Sequence, residues 1–122
     1  MNFSSIFLSP SLKIKAQFLN SEYYVPIAEY KKNCYQESSN LIVFEYNGPL
    51  FYLNAETFRN LFEKYVFKRV QMHSNIRAII FDCSSVSYID EIGVKMLIDI
   101  SKQLGSARLL FADVKPQVME RI

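Results

Sequence analysis

Ala78-Ile79-Ile80-Phe81 is an unbroken apolar run closed by Asp82. A strand with one wet face alternates apolar and polar residues, so a run of this length implies a strand inside a sheet, covered on both faces by crossover helices. The flanking sequence supplies such a sheet. Leu12-Lys13-Ile14-Lys15-Ala16-Gln17-Phe18 alternates strictly and predicts a half-buried strand with Lys13 and Lys15 turned to water. Leu41 to Tyr46 and Leu50 to Leu53 flank Asn47-Gly48, the dipeptide that best supplies the positive φ angles of a type I′ turn. They predict a β-hairpin, with Pro49 at the first position of its strand, where a ladder bond can be spared. Asn20 to Ser39 reads mostly as loop, with Pro26 placed to open a short helical turn.

Two helical patterns follow. Asn54 predicts an N-cap, and Phe58, Leu61, Phe62, Tyr65 and Val66 recur at i, i+3, i+4, i+7 and i+8. That spacing predicts an amphipathic helix of about four turns, with Lys68 and Arg69 in its last turn, where cations suit the helix dipole. Asp90 predicts a second N-cap, ahead of a stripe of Gly93, Leu97, Ile100 and Leu104 with Val94, Ile98 and Ser101 beside it, and Gly105 fits the residue after the helix. Ala107 to Ala112 reads as a last strand, and Pro116 opens a final turn through Val118 and Met119. Strands alternating with helices through short connections imply parallel βαβ pairing and right-handed crossovers. The predicted fold is α/β: a mixed β-sheet with a β-hairpin followed by βαβ units, helices packed on the sheet. At about 100–200 residues per domain, 122 residues make one domain; residues 1–9 are expected to be a flexible tail and 10–122 the domain.

Several function classes are disfavoured. Fourteen Lys+Arg against twelve Asp+Glu leave +2, and no basic run exceeds Lys31-Lys32 or Lys68-Arg69, so a nucleic-acid footprint is missing. The longest charge-free stretch, Met1 to Leu12, is interrupted by Ser4, Ser5, Ser9 and Pro10, and falls short of the roughly 20 apolar residues that span a bilayer. No direct membrane insertion is expected. With no Lys or Arg before Lys13, that stretch also lacks a signal peptide's basic start, so the chain is expected to be cytosolic. Gly48, Gly93 and Gly105 are the only glycines and spell neither a dinucleotide turn nor a phosphate loop. His73, the only histidine, sits in a polar stretch and reads as a solvated loop residue; Cys34 and Cys83 read as free thiols, Cys83 buried. One histidine and two distant cysteines make no metal cluster, and Asp82, Asp90 and Glu91 are explained by cap and dipole roles rather than as a catalytic pair. The chain is expected to be no enzyme and to need no cofactor or metal.

Ala78 to Gly93, AIIFDCSSVSYIDEIG, followed by VKMLIDISKQLG and ARLLFADVKPQV, resembles the STAS domain shared by bacterial anti-anti-sigma factors and the cytoplasmic C-terminal regions of sulfate permease type anion transporters. The resemblance is most specific at Ile89-Asp90-Glu91-Ile92-Gly93. Glu22-Tyr23-Tyr24-Val25-Pro26 with Glu29-Tyr30, and the passage from Gly48 to Glu56, are similar to the transporter branch. It implies a non-catalytic regulatory domain of an anion transporter, partnered by the transmembrane transport domain, with Ile89, Asp90, Glu91, Ile92 and Gly93 as the partner-binding residues. The alternative is a free-standing anti-anti-sigma-like regulator that binds a protein in trans. In that branch a phosphorylatable Ser or Thr commonly follows the Asp; here Glu91 stands there and cannot accept phosphate, while Ser84, Ser85 and Ser87 precede the motif. STAS domains normally continue beyond the helix at Pro116, so the resemblance also implies a C-terminally truncated domain, with open apolar surface around Ala78 to Phe81 and Leu109 to Phe111 and a homodimer through the open sheet edge among its expected states.

Overall fold

The structure, a computed structural model, describes residues 11–122; the tail expected over residues 1–9 lies outside them. One sheet contains β1 (Ser11–Phe18), β2 (Tyr24–Pro26), β3 (Tyr35–Gln36), β4 (Leu41–Asn47), β5 (Ala78–Asp82) and β6 (Arg108–Ala112). Across the sheet the order is β2-β1-β4-β5-β6, with β3 also on β1. β1 runs antiparallel to β4, whereas β4, β5 and β6 are mutually parallel. The fold is therefore α/β with a mixed sheet. Its helices are α1 (Ala55–Phe62), continued through a π-helical turn (Glu63–Phe67) into α2 (Lys68–Met72), then α3 (Glu91–Gln103) and α4 (Pro116–Met119).

The hairpin expected at Asn47-Gly48 does not form. Both edges of β4 are already occupied, by β1 on one side and β5 on the other, so Leu50 to Leu53 cannot fold back onto it. Gly48 takes φ 141° and the chain runs on over the loop that follows β5. Leu50 forms a parallel bridge with Ile89 there, and Pro49 opens no strand.

In register, Ile14, Phe44, Phe81 and Phe111 form one row across the sheet, and Ile42, Ile79 and Leu109 another on the same face. α1 lays Phe58 and Phe62 on these rows. Phe44 stacks on Phe81 with centroids 4.6 Å apart and meets the edge of Phe62 at 5.6 Å, and Phe58 stacks on Phe81 at 5.6 Å. Phe44, Phe58 and Phe81 are fully buried. α3 packs beside α1, with Arg59 of α1 3.7 Å from Asp99, and adds Met96, Leu97 and Ile100 to the same core.

Coverage of β5 by helices on both faces is also not what forms. Two right-handed crossovers that step the same way along a sheet, β4 to β5 and then β5 to β6, put both helices on one face. The other face carries Lys15 bonded to Asp82 at 3.0 Å, with Val43 buried, Ile80 half-buried and Leu110 41% exposed in one row. Burial raises the Asp82 carboxyl, but the Ser84 N–H and the Lys15 ammonium outweigh it and hold Asp82 below its ordinary value.

The predicted stripe of the first helix holds at Phe58, Phe62 and Val66 and fails at Tyr65, which is 40% exposed. The wider π turn rotates the inward face, so that Phe62, Val66 and half-buried Val70 follow one another at a spacing of four. Replacing Phe44 by Ala removes the ring that touches both α1 and β5 and is expected to cost about 3–5 kcal/mol. Tyr23→Ala, at a side chain 77% exposed, should stay within about 0.5 kcal/mol. Urea unfolding followed by circular dichroism measures both.

Candidate functional site

The start of α3 is clasped to the segment that follows β4. The Leu50 N–H donates to the Tyr88 carbonyl at 2.8 Å, and the Asp90 N–H donates to the Leu50 carbonyl at 3.1 Å. The Asp90 side chain then spans both segments: Oδ1 accepts from the Gly93 N–H at 2.9 Å, and Oδ2 accepts from the Tyr52 N–H at 2.9 Å. It is thus the expected N-cap of α3 and also a tie to a loop 38 residues earlier in the chain. The Gly93 N–H above all, with Tyr52 adding to it, holds the Asp90 carboxyl below its ordinary value. Gly93 lies against the Leu50 backbone. A Cβ on it would sit 2.9 Å from Ile89 Cγ1 and 3.0 Å from the Leu50 carbonyl carbon, and closer still to the oxygen.

Asn54 acts differently from its expected role as an N-cap. Its Oδ1 accepts from the Phe51 N–H at 3.0 Å, and its Nδ2 donates to the Pro49 carbonyl and to Tyr46 Oη, the latter at 3.3 Å. The first N–H of α1 is taken by the Phe51 carbonyl instead. Asn54 therefore braces the loop from Pro49 to Phe51 from within. Burial pushes the Tyr46 hydroxyl up to about 12, so it remains neutral beneath this loop.

The five residues expected to face a partner divide. Ile89 and Gly93 are buried, and half-buried Asp90 has both oxygens engaged within the chain. Glu91 and Ile92 project, Ile92 at 52% exposure. Beside them stands Tyr52 at 63% exposure, and Leu53, next to it in the chain, is 68% exposed; these are the two side chains the sequence reading missed. Their signal was available: neither falls on the i, i+3, i+4 stripe of the helix that follows. Tyr52, Asp90, Glu91, Ile92 and Arg121 line a shallow concavity of about 340 Å³, and the Arg121 guanidinium lies 5.3 Å from the centre of the Tyr88 ring. The arrangement offers an apolar, mixed-charge surface on a braced backbone.

The rest of the described chain offers little chemistry. A larger cleft of about 820 Å³ opens at the opposite end of the sheet, lined by Gln36, Ser38, His73 and Asn75 among others, with His73 exposed as expected. Among the described residues no three His, Cys, Asp or Glu side chains come together to hold a metal ion. Cys34 and Cys83 are free thiols, and burial, with Asp82 and Asp113 nearby, pushes Cys83 up to about 12.

Two variants test the clasp. Gly93→Ala forces a methyl onto backbone that cannot step aside and is expected to lose about 1–3 kcal/mol in denaturant titration. Asp90 has a folded pKa below its unfolded one, so its contribution to stability is complete above the unfolded pKa and lost as pH falls through the folded one. The advantage of wild type over Asp90→Asn should therefore shrink in melts taken from about pH 5 down to about pH 2.

Comparison with known proteins gives these features relatives. A family model described as the STAS domain matches residues 34–122. Sulfate transporter 3.2 of Arabidopsis thaliana is 25% identical across 93% of this chain, and Sulfate transporter 3.1 of the same plant is 24% identical across 93%. The chain spans 18% of the length of either protein. The solved structure of the murine Slc26a9 anion transporter in its inward-facing state superposes on 96% of this chain with a TM-score of 0.81 and 26% identity, the match taking in 19% of that chain. The match over residues 34–122 takes in well over half of the chain, and the chain belongs to the STAS domain family.

Proposed function

We propose that this chain is a regulatory, non-catalytic domain of an anion transporter, and that it works by docking a protein partner on the surface made by Tyr52, Leu53, Glu91 and Ile92. The observation that carries the reading is the clasp itself: four hydrogen bonds and a glycine contact hold two loops rigid, yet the side chains they present are exposed and mostly apolar. Large apolar side chains on a rigid base suit protein recognition, because little conformational entropy is lost when they are covered. The likeness to two sulfate transporters, each more than five times the length of this chain, supports a partner that is the membrane-spanning transport region of such a protein. No helix among the described residues is long and apolar enough to cross a membrane, so on this reading that region is supplied elsewhere. On the same reading Ile89, Asp90 and Gly93 position the surface, while Glu91 and Ile92 touch the partner, and the domain lies on the cytoplasmic side.

A hybrid tests the proposal. This chain is put in place of the matching segment of Sulfate transporter 3.2, and sulfate uptake is measured in cells without uptake of their own. Uptake is expected with the wild-type chain and is expected to fall at least about tenfold with Ile92→Asp, which leaves a charge in a buried contact. Glu91→Lys should lower uptake too while changing the isolated domain's stability by only about 0.3–1 kcal/mol, the range for an exposed charge at a helix start. Equal uptake by wild type and both variants would overturn the docking surface.

A further inference from the structure

The end of the sheet away from the clasp gathers positive charge around the larger cleft, apart from the surface at Tyr52 and Ile92. Exposed Lys31, Lys32, Lys68, Arg77, Lys102 and Arg108 all lie there, at the amino ends of the parallel strands, in the last turns of the helices, or in the connection from β1 to β4. No ion pair among the described residues engages any of these six. Lys68 and Lys102 suit the helix dipoles, but Lys31, Lys32, Arg77 and Arg108 meet no such need. The same stretches carry two acids, Glu22 and Glu37, and Glu37 is engaged by Arg69 at 2.7 Å. The cleft itself follows from a change of partner. β1 pairs with β4 as far as Lys15 opposite Val43 and with β3 from Gln17 opposite Gln36, and a space of about 820 Å³ opens where the two partners part. Ser38 and Ser39 line it from one segment, and Met72, Ser74 and Asn75 from another, Met72 at 77% exposure. The Arg77 N–H donates to the Asn40 carbonyl at 2.7 Å and the Arg108 N–H to the Arg77 carbonyl at 3.0 Å, which sets both arginines next to the first of these segments.

We propose that this end of the domain binds an acidic, partly apolar peptide segment of another protein, laid through the cleft between residues 37–39 and 72–75 with its carboxylates on Arg69, Arg77 and Arg108. Charge complementarity selects the occupant, and Lys31 and Lys32 add to the field that draws it in. The cations spread across the three strand spacings from β1 to β6, about 14 Å at about 4.8 Å each, which four or five residues of extended chain cover. Hydroxyls and amides along the cleft match the N–H and C=O groups of a peptide backbone. Met72 offers an apolar contact that adapts to different side chains. Glu37 already displays the mode of contact, a carboxylate seated on Arg69, which a carboxylate of the bound segment displaces. A bilayer is flat and cannot enter the cleft, so a peptide fits this end better than a lipid surface.

The test follows the fluorescence anisotropy of a dye-labelled peptide of Asp-Leu-Glu repeats as the chain is added. Saturable binding is expected, weakening as salt rises, and the matching peptide of Asn-Leu-Gln repeats should bind at least about tenfold more weakly. Arg77→Glu should lower affinity for the acidic peptide at least about tenfold. Lys95→Glu makes the same change of charge at an exposed position in the first half of α3 and should change affinity less than about twofold. Glu37→Gln frees Arg69 and should tighten binding. Circular dichroism of each variant reports that the fold is kept. Absence of binding at low salt overturns the proposal, as does equal loss in Arg77→Glu and Lys95→Glu, which would leave net charge as the whole cause. Unchanged or weaker binding by Glu37→Gln overturns the contact at Arg69. Tighter binding of phosphatidylserine vesicles or of a thymidine oligonucleotide than of the peptide overturns the choice of occupant.

Discussion

Four phenyl rings from three segments meet at the middle of this domain, and the order of everything else follows from their contact. Phe44 comes from β4, Phe81 from β5, and Phe58 and Phe62 from α1. Each ring buries on the order of 150–250 Å², which at about 25 cal/mol per Å² is several kcal/mol per side chain. For these rings to meet, β4 must lie directly beside β5 and α1 must cross over the pair. β1 then takes the remaining edge of β4, and no position is left beside that strand. The departure of the chain at Gly48 toward the loop after β5 follows from this occupancy, not from any local preference of Asn47-Gly48.

The site inherits its rigidity from the same centre through a short series of contacts. The Tyr46 ring lies 4.8 Å from Phe58, its hydroxyl reaches Asn54, Asn54 fixes the loop from Pro49 to Phe51, and Leu50 in that loop pairs with the backbone around Ile89. Asp90 closes the series by accepting from both Tyr52 and Gly93. Exposed Tyr52 and Ile92 thus stand on a backbone anchored to the core at each end. The polar residues at the site mostly serve the backbone, so the side chains it leaves projecting are the apolar ones and Glu91.

Much of this was legible in the sequence wherever a residue's role depends on near neighbours. The alternation from Leu12 to Phe18, the stripe of α3, the cap at Asp90 and the positive φ of Gly105 formed as read, except that Lys15, expected in water, is mostly covered and bonded to Asp82. What failed depended on distant partners. Asn47-Gly48 favours a tight turn, but β1 and β5 had taken both edges of β4. Asn54 has the chemistry of a cap and found better partners in Tyr46, Pro49 and Phe51. Strands as short as β2 and β3 have too few residues to show a period. At the site, the motif from Ile89 to Gly93 was visible, but which of its members turn outward depends on how Leu50 approaches the start of α3. Tyr52 and Leu53 were missed because they had been counted as strand.

The π-helical turn at Glu63–Phe67 bears on how this family can change length. Such a turn accommodates one residue more than an α-helical turn between the same two ends. A single insertion or deletion in that stretch can be absorbed by converting between the two windings, while Phe58 and Phe62 keep their places upstream and β5 keeps its register downstream. No comparable slack exists between Pro49 and Asn54, where main-chain groups of successive residues are already engaged. Descendants of this sequence should therefore drift in length along the helix, while the loop beneath the exposed tyrosine keeps its residue count.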